Sequence, residues 1–186
     1  MTQSSRFLDC CVSNIIQCNK LVGQNIPVGS ELKPAELRAW RAFLDAQATL
    51  LRRLEAELVA GEGMTLAEFD VLAQLWMARD GRLRMTELSG RVRLSRSGIT
   101  RLVDRLVRVG LVKRGNCATD RRGTWAILTP AGNARLRRAR PLHLRGVRQH
   151  FARRLSAAQL GELADALEPL AAGDMRPETV EAARQP

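Results

Sequence analysis

A chain of 186 residues, 45% of them hydrophobic, is long enough to bury one substantial core and too short for several domains. No run approaches the roughly 18 apolar residues that a membrane span requires, so a soluble, cytoplasmic protein with no membrane partner is expected. Thirty basic residues against 19 acidic ones give a net charge of +11, which points to a polyanionic partner.

The excess is local. Between Arg82 and Arg122 twelve basic residues stand against three acidic ones, whereas Ala35 to Gly81 carries five against eight. Arg135 to Arg154 adds eight arginines and no acid, and Leu155 to Pro186 reverses the sign with two against six. A basic block inside a soluble chain puts nucleic acid first among polyanions. The cysteines Cys10, Cys11, Cys18 and Cys117 share no repeated short spacing and have no histidine nearby. Reduced thiols are therefore expected, with no disulfide framework, metal or other cofactor.

Residues 1–33 show neither helical nor strand periodicity and read as an extension of uncertain order. From Pro34, which suits a first helical position, Leu37, Leu44, Leu51 and Leu58 repeat every seven, with Trp40 and Leu54 between them and Gln47 as the exception. This predicts a dimerisation helix over 34–60, ended by Gly61 and Gly63, with a seam for a partner. Thr65 and Glu68 then form a capping box, with Met64 able to staple to Phe69, so a helix should run from Leu66 to about Ala78. After Asp80-Gly81 and the short segment Arg82-Leu83-Arg84, Thr86 can cap a second helix to about Val92.

A third helix should start after Ser95 and end at Gly110. Its apolar positions Ile99, Leu102, Val103, Leu106 and Val107 form one stripe. Arg96, Ser97, Thr100, Arg101, Asp104, Arg105 and Arg108 face the other way. Short hydroxyls and arginines at a helix N-terminus suit a DNA major groove, because Arg can fork onto guanine while Ser and Thr reach phosphate or base. Two such helices in succession make a helix-turn-helix.

Two short strands follow, from Leu111 to Arg114 and from Thr124 to Leu128, joined by a basic loop. They read as a wing, its hairpin fixed by Trp125 and Ile127 and its rim carrying Arg121 and Arg122 toward phosphate or a minor groove. Asp120 would orient Arg122 or the loop backbone. Thr129-Pro130 opens a further helix running toward Arg154, and Ser156 with Gln159 forms another capping box. Leu160, Leu163, Leu167 and Leu170 give the last helix an apolar side, and 173–186 reads as a flexible tail.

Leu102-Val103-Asp104-Arg105-Leu106, then Gly110-Leu111-Val112-Lys113-Arg114, then Asp120-Arg121-Arg122 and Leu128-Thr129-Pro130-Ala131-Gly132 resemble the MarR family of transcription regulators, over about 34–172. The resemblance implies a mainly α fold with a small β-wing, a winged helix-turn-helix over 64–129 flanked by dimerisation helices at 34–60 and 133–172. It further implies a homodimer on a pseudo-palindromic operator in double-stranded DNA, nucleoid-associated when bound, and repression relieved by a small aromatic or anionic effector. DNA contacts would come from Ser95, Arg96, Ser97, Thr100, Arg101, Arg105, Arg121 and Arg122, with Leu37, Trp40, Leu44, Leu160, Leu163 and Leu167 in the dimer.

Rival readings are a redox-responsive regulator sensing oxidants through Cys117, whose thiol lies among cations that favour the thiolate, or a winged module that binds protein. No enzyme is expected: His143 and His150 lie on one distant basic segment, and no nucleophile–base–orienter set is visible. Trp40 and Trp76 read as core rather than pocket residues. The arginines from Arg135 to Arg154 read as solvated or as partners of acidic helices on a second subunit.

Overall fold

The computed structural model describes residues 32–92, 94–116 and 124–172. Helix α1 spans Pro34–Glu62, α2 Leu66–Met77, α3 Met85–Arg91, α4 Arg96–Arg108, α5 Pro130–His150 and α6 Ala157–Ala172. Strands β1 (Arg82–Arg84), β2 (Val112–Asn116) and β3 (Thr124–Leu128) form one antiparallel sheet in the order β1-β3-β2. This is a mainly helical fold with a winged helix-turn-helix at its centre. No described helix is long and apolar enough to cross a membrane.

Local chemistry accounts for most of the boundaries. Helix α1 runs through Gly61 and stops at Gly63, which takes a left-handed φ of 56° that a side chain would strain. The Gly63 N–H then reaches the Val59 carbonyl at 2.9 Å and Met64 N–H returns to Leu58 at 3.4 Å, satisfying carbonyls the helix end leaves open. Helix α2 has the expected reciprocal cap, with Glu68 N–H donating to Thr65 Oγ1 at 3.2 Å and Thr65 N–H to Glu68 Oε2 at 2.9 Å. Ser156 and Gln159 do the same ahead of α6, at 2.9 and 3.3 Å. The cap of α3 differs from expectation. Its helix begins one residue before Thr86, and the side chain of Glu87 accepts the N–H of Arg84 instead.

The core gathers under the sheet. Val71, Leu72 and Leu75 of α2, Leu88 of α3, Ile99, Leu102, Val103 and Leu106 of α4, Val112, Ala126 and Leu136 are all buried and mutually packed. Burying a Leu or Ile contributes roughly 1.5–3 kcal/mol each, so this cluster fixes α4 against the rest of the chain.

The seven-residue pattern of α1 divides in two. Leu54 and Leu58 seat in the chain's own interior, 4% and 0% exposed, because the second half of α1 packs on α5. Gly146 of α5 permits the close crossing: a Cβ there would lie 2.8 Å from Leu54 and 2.6 Å from Glu57 Oε2. Among the described residues the first half has no such cover. Trp40 and Phe43 stack on one another at 6.1 Å and stay more than 40% exposed, with Leu37 and Leu44 half-buried. Trp76, also exposed, is therefore not a core residue, contrary to the sequence reading, while Trp40 lies on the seam side expected to meet a partner. Among the described residues α6 is alike: Leu160, Leu163 and Leu167 are half-buried, Leu170 is 65% exposed and no side chain of the helix is fully buried.

His143 of α5 lies against Phe69 of α2, ring centroids 4.4 Å apart, with its Nδ1 buried and without a partner. Burial holds its pKa below the ordinary imidazole value of 6.5. Protonation is thus harder folded than unfolded, so this contribution to stability is complete above about pH 6.5 and is lost as the pH falls through the imidazole range. Urea melts at pH 7.5 and 5.5 should show stability falling on acidification, with a smaller fall in His143→Gln. An equal fall in both would mean that His143 carries none of it.

Candidate nucleic-acid interface

Ser95 sets the start of α4. With extended backbone angles (φ −60°, ψ 155°), it accepts the Gly98 N–H on its hydroxyl at 3.1 Å. Its oxygen also lies 3.3 Å from Ser97 Oγ. No acidic residue occupies the first turn, so the positive end of the helix dipole is left for an external anion. Ile99 and Leu102 anchor the opposite face, and Ser97, Thr100, Arg101, Asp104, Arg105 and Arg108 are exposed in one array. The helix rotation expected from the apolar stripe is the one observed.

The arginines of this array are not equivalent. Arg101 and Arg108 project without an ion-pair partner among the described residues. Arg105 is engaged: its Nε donates to Glu68 Oε1 at 3.0 Å, while the other oxygen of Glu68 holds the α2 cap. Asp104 accepts both Nε and Nη2 of Arg114 in β2, at 3.1 and 2.7 Å. Sequence reading missed both pairs. The only hint was an acid placed on an otherwise cationic helix face.

The wing is built on cross-strand register. Arg114 pairs with Ala126 and shares the inward face with Val112, while Lys113 and Gly115 share the outer face with Ile127 and Trp125. Trp125 and Ile127 do fix the hairpin. Ile127 fills the space beside Gly115, where a Cβ would be 2.7 Å away, and the guanidiniums of Arg82 and Arg84 lie 4.9 and 5.5 Å over the Trp125 ring. The tip, with Cys117, Asp120, Arg121 and Arg122, lies outside the described residues. So do the side chain of Arg96, the extension up to residue 31 and the tail from residue 173.

Helix α5 leaves the wing through a tight joint. Thr129 Oγ1 accepts the Gly132 N–H at 3.0 Å and donates to the Gly110 carbonyl at 2.7 Å, and Thr129 N–H reaches the Leu111 carbonyl at 3.2 Å. One hydroxyl thus caps α5 and fastens it to the end of α4. Gly132 sits so close that a Cβ would lie 2.1 Å from the Leu111 oxygen. The Leu-Thr-Pro-Ala-Gly motif is therefore a structural joint between α4, the wing and α5.

Between the end of α2 and the start of α5 lies a cavity of about 280 Å³ lined by Trp76, Asn133, Leu136, Arg137 and Arg140. The Arg140 guanidinium is 5.2 Å over the Trp76 ring, and Asn133 Oδ1 is buried with no partner. Deeper on α5, Arg135 is bound to Glu62 at 2.6 Å and His150 Nε2 to Glu57 at 2.6 Å. At least one arginine of the basic segment thus pairs within its own chain. Among the described residues no cluster of metal-ligating side chains occurs.

Comparison with known proteins agrees with this arrangement. Residues 62–123 match the model of the MarR family. AbsC, a MarR family transcriptional regulator from Streptomyces coelicolor, is similar with a TM-score of 0.72 and 34% identity, covering 77% of this chain and 96% of that one. Sco3205, a MarR family regulator of the same organism solved in complex with DNA, gives a TM-score of 0.73 and 34% identity over 80% and 96%. The HTH-type transcriptional repressor YetL of Bacillus subtilis is 39% identical over 84 residues, 45% of this chain and half the length of that repressor. With its helix-turn-helix, its clamped wing and its Thr129 joint, the chain belongs to the MarR family of transcriptional regulators.

Proposed function

We propose that the chain is a homodimeric repressor that binds a pseudo-palindromic operator through α4 and the wing. The observation that carries this reading is the α4 face itself: Ser97, Thr100, Arg101 and Arg108 exposed together, at an acid-free helix N-terminus, beside a basic wing. The similarity to Sco3205, solved with DNA, and to a repressor supports it. Dimerisation follows from uncovered apolar surface. Leu37, Trp40, Phe43 and Leu44 of α1 and the Leu160–Leu163–Leu167 side of α6 find no full cover among the described residues of one chain, and two copies exchanging these helices would bury both.

The cavity beside Trp76 fits the effector. An indole wall, two arginines and one unsatisfied amide oxygen suit a planar aromatic anion that carries a hydrogen-bond donor. It lies where α5 leaves the DNA-binding part, so filling it would shift α4 relative to the dimer helices. Selection of duplexes from a randomised pool, followed by salt titration, tests the whole. Recovered sites should be two-fold related, bound by a dimer in sedimentation, and weakened steeply by salt as counterions compete for phosphate. A monomer, or a complex insensitive to salt, would contradict the proposal.

A further inference from the structure

Asp104 poses a problem for a DNA-binding face. It stands on α4 among Arg101, Arg105 and Arg108, is 53% exposed, and would repel phosphate if merely solvated. Its partner resolves the problem. Arg114 lies on β2 directly opposite Ala126, on the sheet face turned toward the helices, and sends both Nε and Nη2 to a single oxygen of Asp104.

This contact comes at a particular place. Val112, 1% exposed, roots the base of β2 in the core, and Leu111 N–H is bound to the Leu106 carbonyl at 2.9 Å. Beyond Val112 the outward residues of β2 meet β3 rather than α4. The Asp104–Arg114 pair is the described side-chain ion pair that joins α4 to β2 above that root, two residues before β2 ends at Asn116. A planar guanidinium on a carboxylate fixes direction as well as distance.

We infer that Asp104 and Arg114 are positioning residues that set the angle of the wing against the recognition helix, so that an acid on the DNA-facing side strengthens DNA binding. The inference rests on the DNA-binding reading. Its consequence has the opposite sign to simple electrostatics: removing a solvated negative charge beside phosphate should tighten binding, whereas removing a clamp should weaken it. An exposed ion pair contributes little to folding, so the two effects are separable from stability.

The test uses the full chain and a duplex selected by the wild-type protein. Asp104→Asn is expected to weaken binding about tenfold while leaving the thermal midpoint within a degree or two. Arg114→Met should weaken it at least as much, and the double variant should be no weaker than Arg114→Met alone. The exchanged pair Asp104→Arg with Arg114→Asp should regain part of the loss. Amide exchange on the DNA-free protein supplies a second readout, with strands β2 and β3 exchanging faster in Asp104→Asn while α2 and α5 are unchanged.

Equal or tighter binding by Asp104→Asn overturns the inference and leaves Arg114 as a phosphate contact that Asp104 merely competes for. Unchanged exchange in β2 and β3 overturns it as well. Failure of the wild-type chain to select any duplex would sink the DNA-binding reading instead, and the exchange measurement would still decide whether the pair holds the wing.

Discussion

Replacing Gly132 with alanine is expected to lower stability by about 3 kcal/mol, toward the upper end for overpacked sites, and to displace the wing. The reason is the identity of the obstacle. A Cβ at residue 132 would lie 2.1 Å from the carbonyl oxygen of Leu111, and backbone cannot rotate aside as a side chain does. Either α5 retreats and loses the Thr129 hydroxyl's bonds to the Gly110 and Leu111 carbonyls, or the segment leading into β2 moves. For a chain of this length the loss corresponds to a melting point lower by roughly 6–12 °C. Gly161→Ala is the control: it lies in α6 with nothing within 4 Å of its Cβ position, and should be neutral or raise stability by up to about 1 kcal/mol through helix propensity. A Gly132→Ala protein melting with the parent would remove the joint as the reason for this glycine.

Arg101→Ala should abolish most of the discrimination between the selected duplex and random DNA, on the order of 1–3 kcal/mol, or about ten- to a hundred-fold. Arg101 projects near the centre of the α4 outer face with no ion-pair partner among the described residues, so its loss removes a contact and leaves no buried charge behind. Its melting curve should match the parent. Arg105→Ala is expected to behave differently, since Arg105 is tied to Glu68 and releasing that carboxylate next to the α2 cap perturbs the fold before it affects DNA. The measurement is the ratio of the two dissociation constants at one salt concentration. An unchanged ratio for Arg101→Ala would move base reading to other residues.

Much of the architecture was legible because it depends on neighbours in sequence. The Thr65–Glu68 and Ser156–Gln159 caps, the Ser95 cap and the Thr129-Pro130 start are geometries local to one helical turn, and each occurs where its residues predict. The exception is α3, where Thr86 looked like a cap but Glu87 had Arg84 within reach one turn earlier. The apolar stripe of α4 oriented that helix correctly because 3.6-residue spacing leaves one face for the core.

Contacts between distant segments were not legible in this way. Periodicity identified α1 as a seam helix but could not say that Leu54 and Leu58 face the chain's own α5 while Trp40 and Phe43 remain uncovered. Trp76 was expected in the core, since size and hydrophobicity favour burial, yet it borders a cavity under Arg140.

The sequence alone therefore determined the local elements, the polarity of α4 and the family, all of which follow from spacing along one chain. Tertiary structure alone decided which charges are free to meet a ligand: Arg105 goes to Glu68, Asp104 to Arg114, and Arg101 is left outward. The physical reason is that an ion pair requires two surfaces to meet within about 4 Å, and which surfaces meet is set by packing of the whole core rather than by the residues that carry the charge.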